Sequence, residues 1–560
     1  MDFLNKALLF LRFFGSFALF SQTYQPTQLI NMGGPWNDFV KHSVVDQDGF
    51  IYATGSFTGI AYIGSDSLLS AGNSDVFLVK IDPNGDVEWA KRAGGQSVDE
   101  GKRVVLTESA VYVLGNFRDF ANFSNPYNYG ENQISSLGGN DFFIAKYHKN
   151  GTFLWAKRGG GISDDMGNGL SVSENQIIVT GGYQYFADFN TPPLLGNKEI
   201  ESHGGYDCFV AFYDTLGYFK EAFTLGSSED DFGTVVLADQ THFYLAGTFS
   251  DSIIFNEDSS FEFEITSNYS VNVFLTKFSN SNHCMWAHTI GSAGIETVTD
   301  LAILGESVLV TGTYQQTALF TSTLSQNNKE ITSKGGVDFY LAKYQNDGVL
   351  DWVVNGGGAN DDLSNSIFVT PTEILICGHF SNTITFDDVL NYELNSLTSS
   401  GFSDIFIASF GYNGAFKWGR KDGGTSIDFG TSVLKYKNNL FCLGNFNLFS
   451  RFGEDDDTFI DIVSKGGIDL FITKYSLDGN GIGEIQYKIF PNPCFSHLNI
   501  VLDPSFMGEE YGIYDLVGKC MSRGKIVSNS FFVDVSSYSS GVYIFKPSKR
   551  RMKGAQFIKL

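Results

Sequence analysis

The sequence is short of several residue types, and each shortage argues against a class of protein. Only 18% of its 560 residues are charged, and 62 Gly and 53 Phe stand against 6 Trp and 7 Met. Runs of helix-forming residues are rare, so a mainly helical fold is not expected. Basic residues number 37 against 62 acidic ones, so the chain lacks the basic footprint of a nucleic-acid-binding protein.

The residues that usually carry metal or nucleophilic chemistry form no recognisable motif. The six Cys contain no CxxC pair, and the eight His form neither HExxH nor HxH, so a zinc site is not indicated. A GxSxG elbow and a phosphate-binding Gly loop are also missing. Cys377 and Cys442 are interpreted as small buried hydrophobic residues, whereas pairing of Cys494 with Cys520 stays open. No cofactor is predicted from these residues.

One long apolar run occurs, at the start of the chain. Lys6 and Arg12 supply its positive charge, and small or polar residues follow Phe20. This pattern predicts a signal peptide over residues 1–21, because the run is too short to span a bilayer. No later segment approaches a membrane span, so none is predicted in the mature chain. The sequence therefore predicts a secreted protein.

What is present is a repeat of 65 or 66 residues, traced by three markers. The first acidic position is Asp75, Asp141, Asp207, Asn272, Asp338, Asp404 and Asp469. The second is Asp38, Asp99, Asp165, Asp231, Glu296, Asp362 and Asp428. An aromatic residue ends a Gly-x-Phe/Tyr marker at Phe57, Phe117, Tyr183, Phe249, Tyr314, Phe380 and Phe446. Three markers in the same register indicate seven repeats.

Each repeat carries four strand signals, for example at 167–173, 176–183, 207–213 and, in the preceding repeat, 152–158. A tight Gly turn joins the third and fourth strands, and a loop of roughly twenty residues is expected between the second and third. Four antiparallel strands repeated seven times predict an all-β, seven-bladed β-propeller over residues 22–482. Residues 26–32 are expected to supply the outermost strand of the last blade, leaving no unpaired edge.

Residues 485–560 leave the period and predict a small Ig-like β-sandwich. Their net charge is +5, from ten Lys/Arg and five Asp/Glu, so residues 1–487 carry −30. Such an acidic body fits a soluble secreted protein and leaves divalent cation binding open.

Two family resemblances follow from these residues. The pattern GGxDxFxxKY, a Gly turn, Trp, GG and DxG resembles the SBBP-type β-propeller repeats of bacterial secreted proteins, which implies the fold and no particular activity. The terminal region resembles the type A sorting domain of type IX secretion. The residues that carry this resemblance are Pro491, Asn492, Pro493, Tyr514, Asp515, Gly518, Lys519, Gly541, Val542, Tyr543 and Lys559. It implies the type IX machinery as a partner and a secreted or outer-surface location.

The recurring carboxylates are interpreted as structural, each accepting backbone N–H groups in a Gly-rich link. Trp89, Trp155, Trp286, Trp352 and Trp418 share one repeat position and are interpreted as packing between blades. Arg92, Arg158 and Arg420 are expected on outer strands, far from the channel. The acidic run Glu454, Asp455, Asp456 and Asp457 is the candidate for a Ca²⁺ site, since hard cations need converging oxygens.

The preferred hypothesis is an exported, non-enzymatic binding or adhesion module whose glycan or protein ligand the sequence does not identify. The alternative is a secreted polysaccharide hydrolase or lyase with carboxylates in the channel. An asymmetric set of polar residues on the channel-facing first strands would favour the alternative, and the sequence shows little sign of one.

Overall fold

The computed structural model describes residues 24–123, 132–173, 175–189, 199–257, 262–267, 271–387, 396–453, 459–477, 488–490, 494–501, 508–515, 519–528, 530–547 and 555–560. The predicted signal peptide, residues 1–21, lies outside them. The chain divides into two compact regions, a repeat region that ends at Ser476 and a C-terminal region that begins at Leu477. Within the described ranges, no helix is long and apolar enough to cross a membrane.

Apart from one 3₁₀ turn at Ser325–Asn327, the regular secondary structure of the described residues is antiparallel strand. The strands before repeat 4 are β1 Tyr24–Met32, β2 Asp38–Val45, β3 Ile51–Ile63, β4 Asp66–Ile81, β5 Val87–Ala93, β6 Glu100–Leu106, β7 Ala110–Asn122, β8 Gln133–His148, β9 Phe153–Gly161, β10 Met166–Val172, β11 Ile177–Asp188, β12 Glu199–Tyr213 and β13 Phe219–Leu225.

Repeats 4 to 7 continue the same order. Their strands are β14 Phe232–Ala238, β15 His242–Phe249, β16 Ser252–Phe255, β17 Phe263–Thr266, β18 Asn272–Ser279, β19 Cys284–Gly291, β20 Thr297–Leu304, β21 Ser307–Tyr314, β22 Thr317–Phe320, β23 Lys329–Thr332, β24 Asp338–Tyr344, β25 Leu350–Gly357, β26 Asp362–Val369, β27 Ile374–Phe380, β28 Thr383–Phe386, β29 Ser396–Thr398, β30 Asp404–Phe410, β31 Phe416–Gly424, β32 Asp428–Tyr436, β33 Asn439–Phe452 and β34 Ile460–Leu477.

Each repeat contains four main strands, and its first strand is the innermost. The innermost strands are β2, β6, β10, β14, β20, β26 and β32; each contacts the next, and β32 contacts β2. Hydrogen bonds join the first and last repeats directly, because Val40 N donates to Asn445 Oδ1 at 2.8 Å. The outermost strand paired with β34 is β1, so the predicted pairing of the N-terminal strand with the last repeat is confirmed.

Hydrophobic side chains are buried between neighbouring repeats, because each strand sheet offers an apolar face to the sheets on both sides. Six apolar clusters fill the repeat region, and each combines residues from adjacent repeats. For example, Tyr112 and Phe142 of repeat 2 pack with Leu170 and Phe209 of repeat 3. The repeats are therefore held together by burial rather than by strand pairing alone.

The long loop predicted between the second and third strands is the main correction to the sequence interpretation. In repeat 1, β3 and β4 continue as a paired hairpin from Ile60↔Leu69 to Ile63↔Asp66. The segment alternates buried and exposed residues, with Ala61 and Ile63 inward and Tyr62 outward. The alternation of buried and exposed residues that is typical of a strand continues past the Gly-x-Phe marker. The prediction of a loop there is therefore wrong.

These hairpin extensions reach back to the preceding repeat. They pair with, or bridge to, the end of the preceding outer strand at Gly33–Tyr62, Gly94–Asn122, Gly161–Ala187, Ile290–Phe320, Gly356–Phe386 and Gly423–Arg451. At these six junctions the extension therefore pairs with the end of the preceding outer strand.

The C-terminal region forms two antiparallel sheets. Its strands are β35 Lys488–Phe490, β36 His497–Val501, β37 Glu510–Asp515, β38 Cys520–Lys525, β39 Ser530–Asp534, β40 Gly541–Pro547 and β41 Ala555–Lys559. One sheet has the order β35-β36-β39 and the other β38-β37-β40-β41. Leu498 and Ile500 of the first sheet share a core with Ile513, Phe545 and Phe557 of the second. The thiols of Cys494 and Cys520 are both free.

Candidate functional site: the central cavity and its rim

The recurring carboxylates meet in pairs at the junctions between repeats. At the first junction, the carboxyl groups of Asp75 and Asp99 both lie beside Gly94. Asp99 Oδ2 accepts the N–H of Gly95 at 2.6 Å, and Asp75 Oδ2 contacts Arg92 Nε at 2.6 Å. Burial raises the pKa of Asp99 to about 7 and that of Asp75 to about 6. The structural interpretation of these residues is confirmed, because their oxygens accept link N–H groups.

The same bond recurs around the region. The second acidic residue accepts the N–H of the residue four positions before it at Asp38, Asp99, Asp165, Asp231, Glu296 and Asp428. Asn272 replaces the first Asp at the junction of repeats 4 and 5, so one member of that pair is permanently neutral. An amide is the neutral counterpart of a protonated carboxyl group. Its presence fits pairs in which only one member is ionised.

The tryptophans also have the predicted structural role. Trp155 lies against the Gly217 turn of the next repeat, and Trp286 Nε1 donates to Asn346 O of the next repeat at 3.1 Å. A side chain at Gly217 would crowd both Trp155 and Lys157, and φ there is +83°. The turn glycine and the Trp therefore form one contact between neighbours. Arg92, Arg158 and Arg420 lie on the outer strands β5, β9 and β31, as predicted.

Each hairpin extension holds one residue in a left-handed backbone conformation. These residues are Gly59, Asp119, Tyr185, Asp251, Gln316, Asn382 and Leu448, with φ between +57° and +67°. The N–H of Tyr185 donates to Ser202 Oγ at 3.0 Å, and Leu448 bonds Ser464 in the same way at 3.1 Å. Bulky residues rarely adopt this conformation, so Tyr185 and Leu448 are strained positions held by their hairpins.

A β-bulge occurs at one equivalent position of all seven innermost strands. The bulged residues are Lys41, Lys102, Asn168, Thr234, Thr299, Asn365 and Thr431. The next residues are His42, Arg103, Gly169, Val235, Asp300, Ser366 and Ser432. Bulges commonly redirect side chains near functional sites. The bulged residue and the residue after it differ from repeat to repeat. The second acidic residue, three positions before the bulge, is Asp in six repeats and Glu in one.

All seven innermost strands line a central cavity of about 280 Å³. Its polar side chains include His42 of repeat 1, Arg103 of repeat 2 and Asp300 of repeat 5. Arg103 Nη1 pairs with Asp300 Oδ1 at 3.2 Å, and Arg103 Nη2 donates to Thr299 O at 3.0 Å. Asp300 Oδ2 also accepts the N–H of Ile367 at 2.9 Å. This ion pair spans the cavity and joins two residues that are 197 positions apart in the sequence.

Burial determines the charge of the two titratable groups in this cavity. Burial, followed by the nearby Arg103, lowers the pKa of His42 well below its usual value, so the imidazole is neutral at pH 7. Its Nδ1 accepts the N–H of Val104 at 3.4 Å. Burial raises the pKa of Asp300, and Arg103 and the Ile367 N–H offset part of that effect. The pair holds Asp300 in place and leaves little room for it to act as a free acid or base.

The bulged lysines lie directly before His42 and Arg103. Lys41 Nζ contacts Glu100 Oε1 at 3.0 Å, and Lys102 Nζ contacts Glu100 Oε2 at 2.7 Å. We call Lys41, Glu100 and Lys102 the rim cluster. Burial acts to raise the pKa of Glu100, but Lys102 and Lys41 outweigh it, so the pKa is lowered. Two cations therefore share one carboxylate, and the cluster keeps one positive charge.

The innermost strands therefore carry an asymmetric set of polar residues, although the sequence shows little sign of one. Its members are scattered over more than 250 residues and only the ring of innermost strands brings them together. One signal was available in the sequence. The residue four positions after the second acidic marker is Gly, Val or Ser in four repeats but is His42, Arg103 or Asp300 in the others.

The predicted metal candidate Glu454, Asp455, Asp456 and Asp457 lies outside the described residues. Within the part of the chain that the structure describes, no group of three or more His, Cys, Asp or Glu side chains is arranged to hold a metal ion. The proposal of Ca²⁺ at the acidic run therefore stays a prediction.

The described sorting-motif residues meet on one sheet of the C-terminal region. Asp515 Oδ1 accepts the N–H of Lys519 at 2.8 Å. Asp515 pairs with Tyr543 between β37 and β40, and Gly541 pairs with Lys559 between β40 and β41. Val542, next in β40, pairs with Ile558. Pro491, Asn492, Pro493 and Gly518 lie outside the described residues.

Residues 488–558 match the family described as the secretion system C-terminal sorting domain. The C-terminal region is therefore a type IX sorting domain, as the sequence predicted, and it implies handling by the type IX secretion machinery. The protein is secreted and located at the cell surface. The SBBP resemblance of the repeat region is not confirmed by a family match and stays a prediction.

The chain is similar to parts of much longer proteins. An uncharacterized WD repeat-containing protein, L264, of Acanthamoeba polyphaga mimivirus is 22% identical over 409 residues, 59% of this chain and 29% of that protein. The regulatory protein FlaEY of Caulobacter vibrioides is 26% identical over 200 residues, 34% of this chain and 20% of that protein. The chain thus spans less than a third of either relative.

Among solved structures, PorZ is a bacterial surface component of the type IX secretion system of Porphyromonas gingivalis. Its match covers 95% of this chain and 100% of PorZ, with 10% identity and a TM-score of 0.18. At this TM-score the similarity carries no argument about fold or function.

Proposed function

We propose that the protein is an exported seven-bladed β-propeller that acts at the outer cell surface as a non-enzymatic binding module. Seven four-stranded repeats, a closed circuit of contacts between innermost strands and the pairing of β1 with β34 support the propeller. The sorting domain supports the location. A rigid ring whose inner positions differ between repeats suits selective binding of a glycan or protein.

The observation that carries the binding role is the state of two carboxylates on the innermost strands. Glu100 is held by Lys41 and Lys102, and Asp300 by Arg103. Glycoside hydrolysis requires one carboxyl group free to donate a proton and another free to attack or to activate water. Carboxylates already engaged by cations favour recognition over acid–base chemistry.

The second candidate is a polysaccharide hydrolase or lyase, and one observation favours it. His42, Arg103 and Asp300 form a cluster of non-equivalent residues in one cavity, and catalytic sites are usually of this kind. The neutral imidazole of His42 could accept a proton.

A binding and turnover screen separates the two functions. The exported, mature protein is incubated with a panel of surface glycans, with and without Ca²⁺, and both binding and product formation are followed. We expect saturable binding and no product. Product that disappears in Asp300→Asn or Glu100→Gln would establish the enzyme, whereas failure to bind any glycan or cell-surface protein would refute the binding role.

A further inference from the structure

The rim cluster departs from the pattern of the other repeats. At the bulge position, Asn168 Nδ2 donates to Gly233 O at 3.0 Å and Asn365 Nδ2 donates to Gly430 O at 2.7 Å. Thr299 Oγ1 likewise donates to Ser364 O at 2.9 Å. These neutral side chains tie one innermost strand to the next. Lys41 and Lys102 occupy the same position but are charged. Lys41 reaches Glu100 on the next innermost strand and Lys102 reaches Glu100 on its own strand, so two ammonium groups meet at one carboxylate.

The two lysines retain binding capacity. An ammonium group has three N–H donors, and Glu100 takes one contact from each lysine. The side chain of Lys41 is 41% exposed and that of Lys102 is 29% exposed, so both heads can reach a ligand. Arg103 follows Lys102 directly, but Asp300 neutralises it. The rim cluster has two ammonium groups and one carboxylate, so one positive charge of this cluster remains available to a ligand.

We propose that the rim cluster binds the carboxylate or sulfate group of an acidic oligosaccharide. This inference rests on the proposed binding function and names its ligand class. The anionic group would sit between the Lys41 and Lys102 ammonium groups, on the side away from Glu100, with hydroxyl groups of the sugar near the central cavity. Charge-assisted hydrogen bonds to an anion are stronger than neutral ones, which makes this group the anchor.

The charge of the whole protein limits the ligand further. Residues 1–487 carry a net charge of −30, so a polyanion such as a nucleic acid or a densely sulfated chain would be repelled at every other surface. At physiological ionic strength the Debye length is about 8 Å, so the rim cluster attracts an anion only at short range. A sparsely charged oligosaccharide meets both conditions.

The test measures the affinity of the mature protein for three trisaccharides of the same backbone, one with a uronate, one with a sulfate and one neutral. We expect an acidic probe to bind at least tenfold more tightly than the neutral one, and to weaken as salt rises. Whichever acidic probe binds better identifies the anionic group. Lys41→Ala with Lys102→Ala should abolish the preference for the acidic probe.

Glu100→Gln provides the opposite control, because it removes the competing carboxylate. We expect it to tighten binding of the acidic probe severalfold while leaving the neutral probe unchanged. Lys220→Ala, an exposed lysine paired with Asp214, should change neither. Thermal unfolding confirms that each variant is folded.

Equal binding of all three probes, unaffected by the lysine substitutions, would overturn this inference and leave the binding function standing. If no probe binds and no other glycan or cell-surface protein binds in the wider screen, the proposed function itself fails. If the lysine variant loses the neutral probe as well, the lysines contribute to general binding and the anion assignment is overturned.

Discussion

At the scale of single residues, the paired carboxylates explain how an acidic chain forms a tightly packed ring. Each pair is buried where two repeats meet, and desolvation favours the neutral form. Link N–H groups at both members, and the Arg92 guanidinium at Asp75, offset part of this effect. The two Asp markers are conspicuous in the sequence because the junction needs them, and not because they react.

This arrangement predicts an unusual pH dependence of stability. The pKa of Asp99 is about 7 in the folded protein against a usual value of 3.8, so between these values the folded state binds more protons than the unfolded state. The free energy of unfolding therefore falls as the pH rises through this window, and levels off above it. Thermal unfolding at pH 5, 6, 7 and 8 should show decreasing midpoints.

Asp99→Asn checks the cause, because the amide does not titrate. The variant should show a weaker pH dependence than the wild type, with the other junctions still contributing. A midpoint that rises from pH 5 to pH 8 in the wild type would contradict the assignment of raised pKa values to these carboxyls.

The strained hairpin positions give a second residue-scale prediction. Leu448 has φ of +60°, where a β-carbon is unfavourable and Gly is not. Leu448→Gly should therefore raise the free energy of unfolding by about 1 kcal/mol. Asn382→Gly is the matched control with a smaller gain, since Asn tolerates this conformation. Destabilisation by Leu448→Gly in chemical denaturation would show that contacts of the leucine outweigh the strain.

At the scale of secondary-structure elements, sequence patterns located the strands far better than their ends. Alternation, the Gly turns and the Trp position gave the four strands of each repeat. They did not show that β3 and β4 run on into a shared extension, because the intervening Gly and polar residues are typical of loops. The extension is stabilised by the neighbouring repeat, and that contact is invisible in a local window.

The position of the N-terminal strand was predictable, because residues 26–32 complete the set of four strands in the last repeat. Its anchoring is visible only in the structure. Tyr24 is buried against Trp418, with ring centroids 5.6 Å apart, and Arg420 Nη1 donates to Tyr24 O at 2.7 Å. These contacts hold β1 at the outer edge of β34.

Removal of residues 24–32 should expose the edge of β34 and destabilise the repeat region, with aggregation measurable by light scattering. A synthetic peptide of residues 24–32 should bind the truncated protein and restore its thermal stability, because an exposed sheet edge accepts a strand in trans. A truncated protein as stable and monomeric as the wild type would contradict a closing role for β1.

At the scale of the whole molecule, the sequence predicts the sorting domain, whereas only the structure shows the cavity. The sequence identified the exporting tail, since its short motifs lie in a fixed order. It could not assemble the cavity, because His42, Arg103 and Asp300 come from three repeats whose proximity depends on the ring. The rim cluster was missed for the same reason, as Lys41 and Glu100 belong to different repeats.

The tail gives a prediction about location. Deletion of residues 488–560 should leave the protein inside the outer membrane, because the sorting domain directs the last export step. Cell fractionation with immunodetection measures this, and Lys220→Ala serves as a full-length control that still reaches the surface. Surface display of the truncated protein at wild-type level would contradict the assignment.

We expect the recurring residues to build the scaffold and the non-recurring rim cluster to bind the ligand. Unfolding and affinity for a uronate-bearing trisaccharide, measured on the same two variants, separate these two roles. Trp155→Ala should lower the free energy of unfolding by about 3 kcal/mol and leave the affinity of the folded protein unchanged. Lys41→Ala with Lys102→Ala should change the free energy of unfolding by less than about 1 kcal/mol and weaken binding at least tenfold. The reverse result, loss of affinity in folded Trp155→Ala with unchanged binding in the lysine variant, would contradict the account.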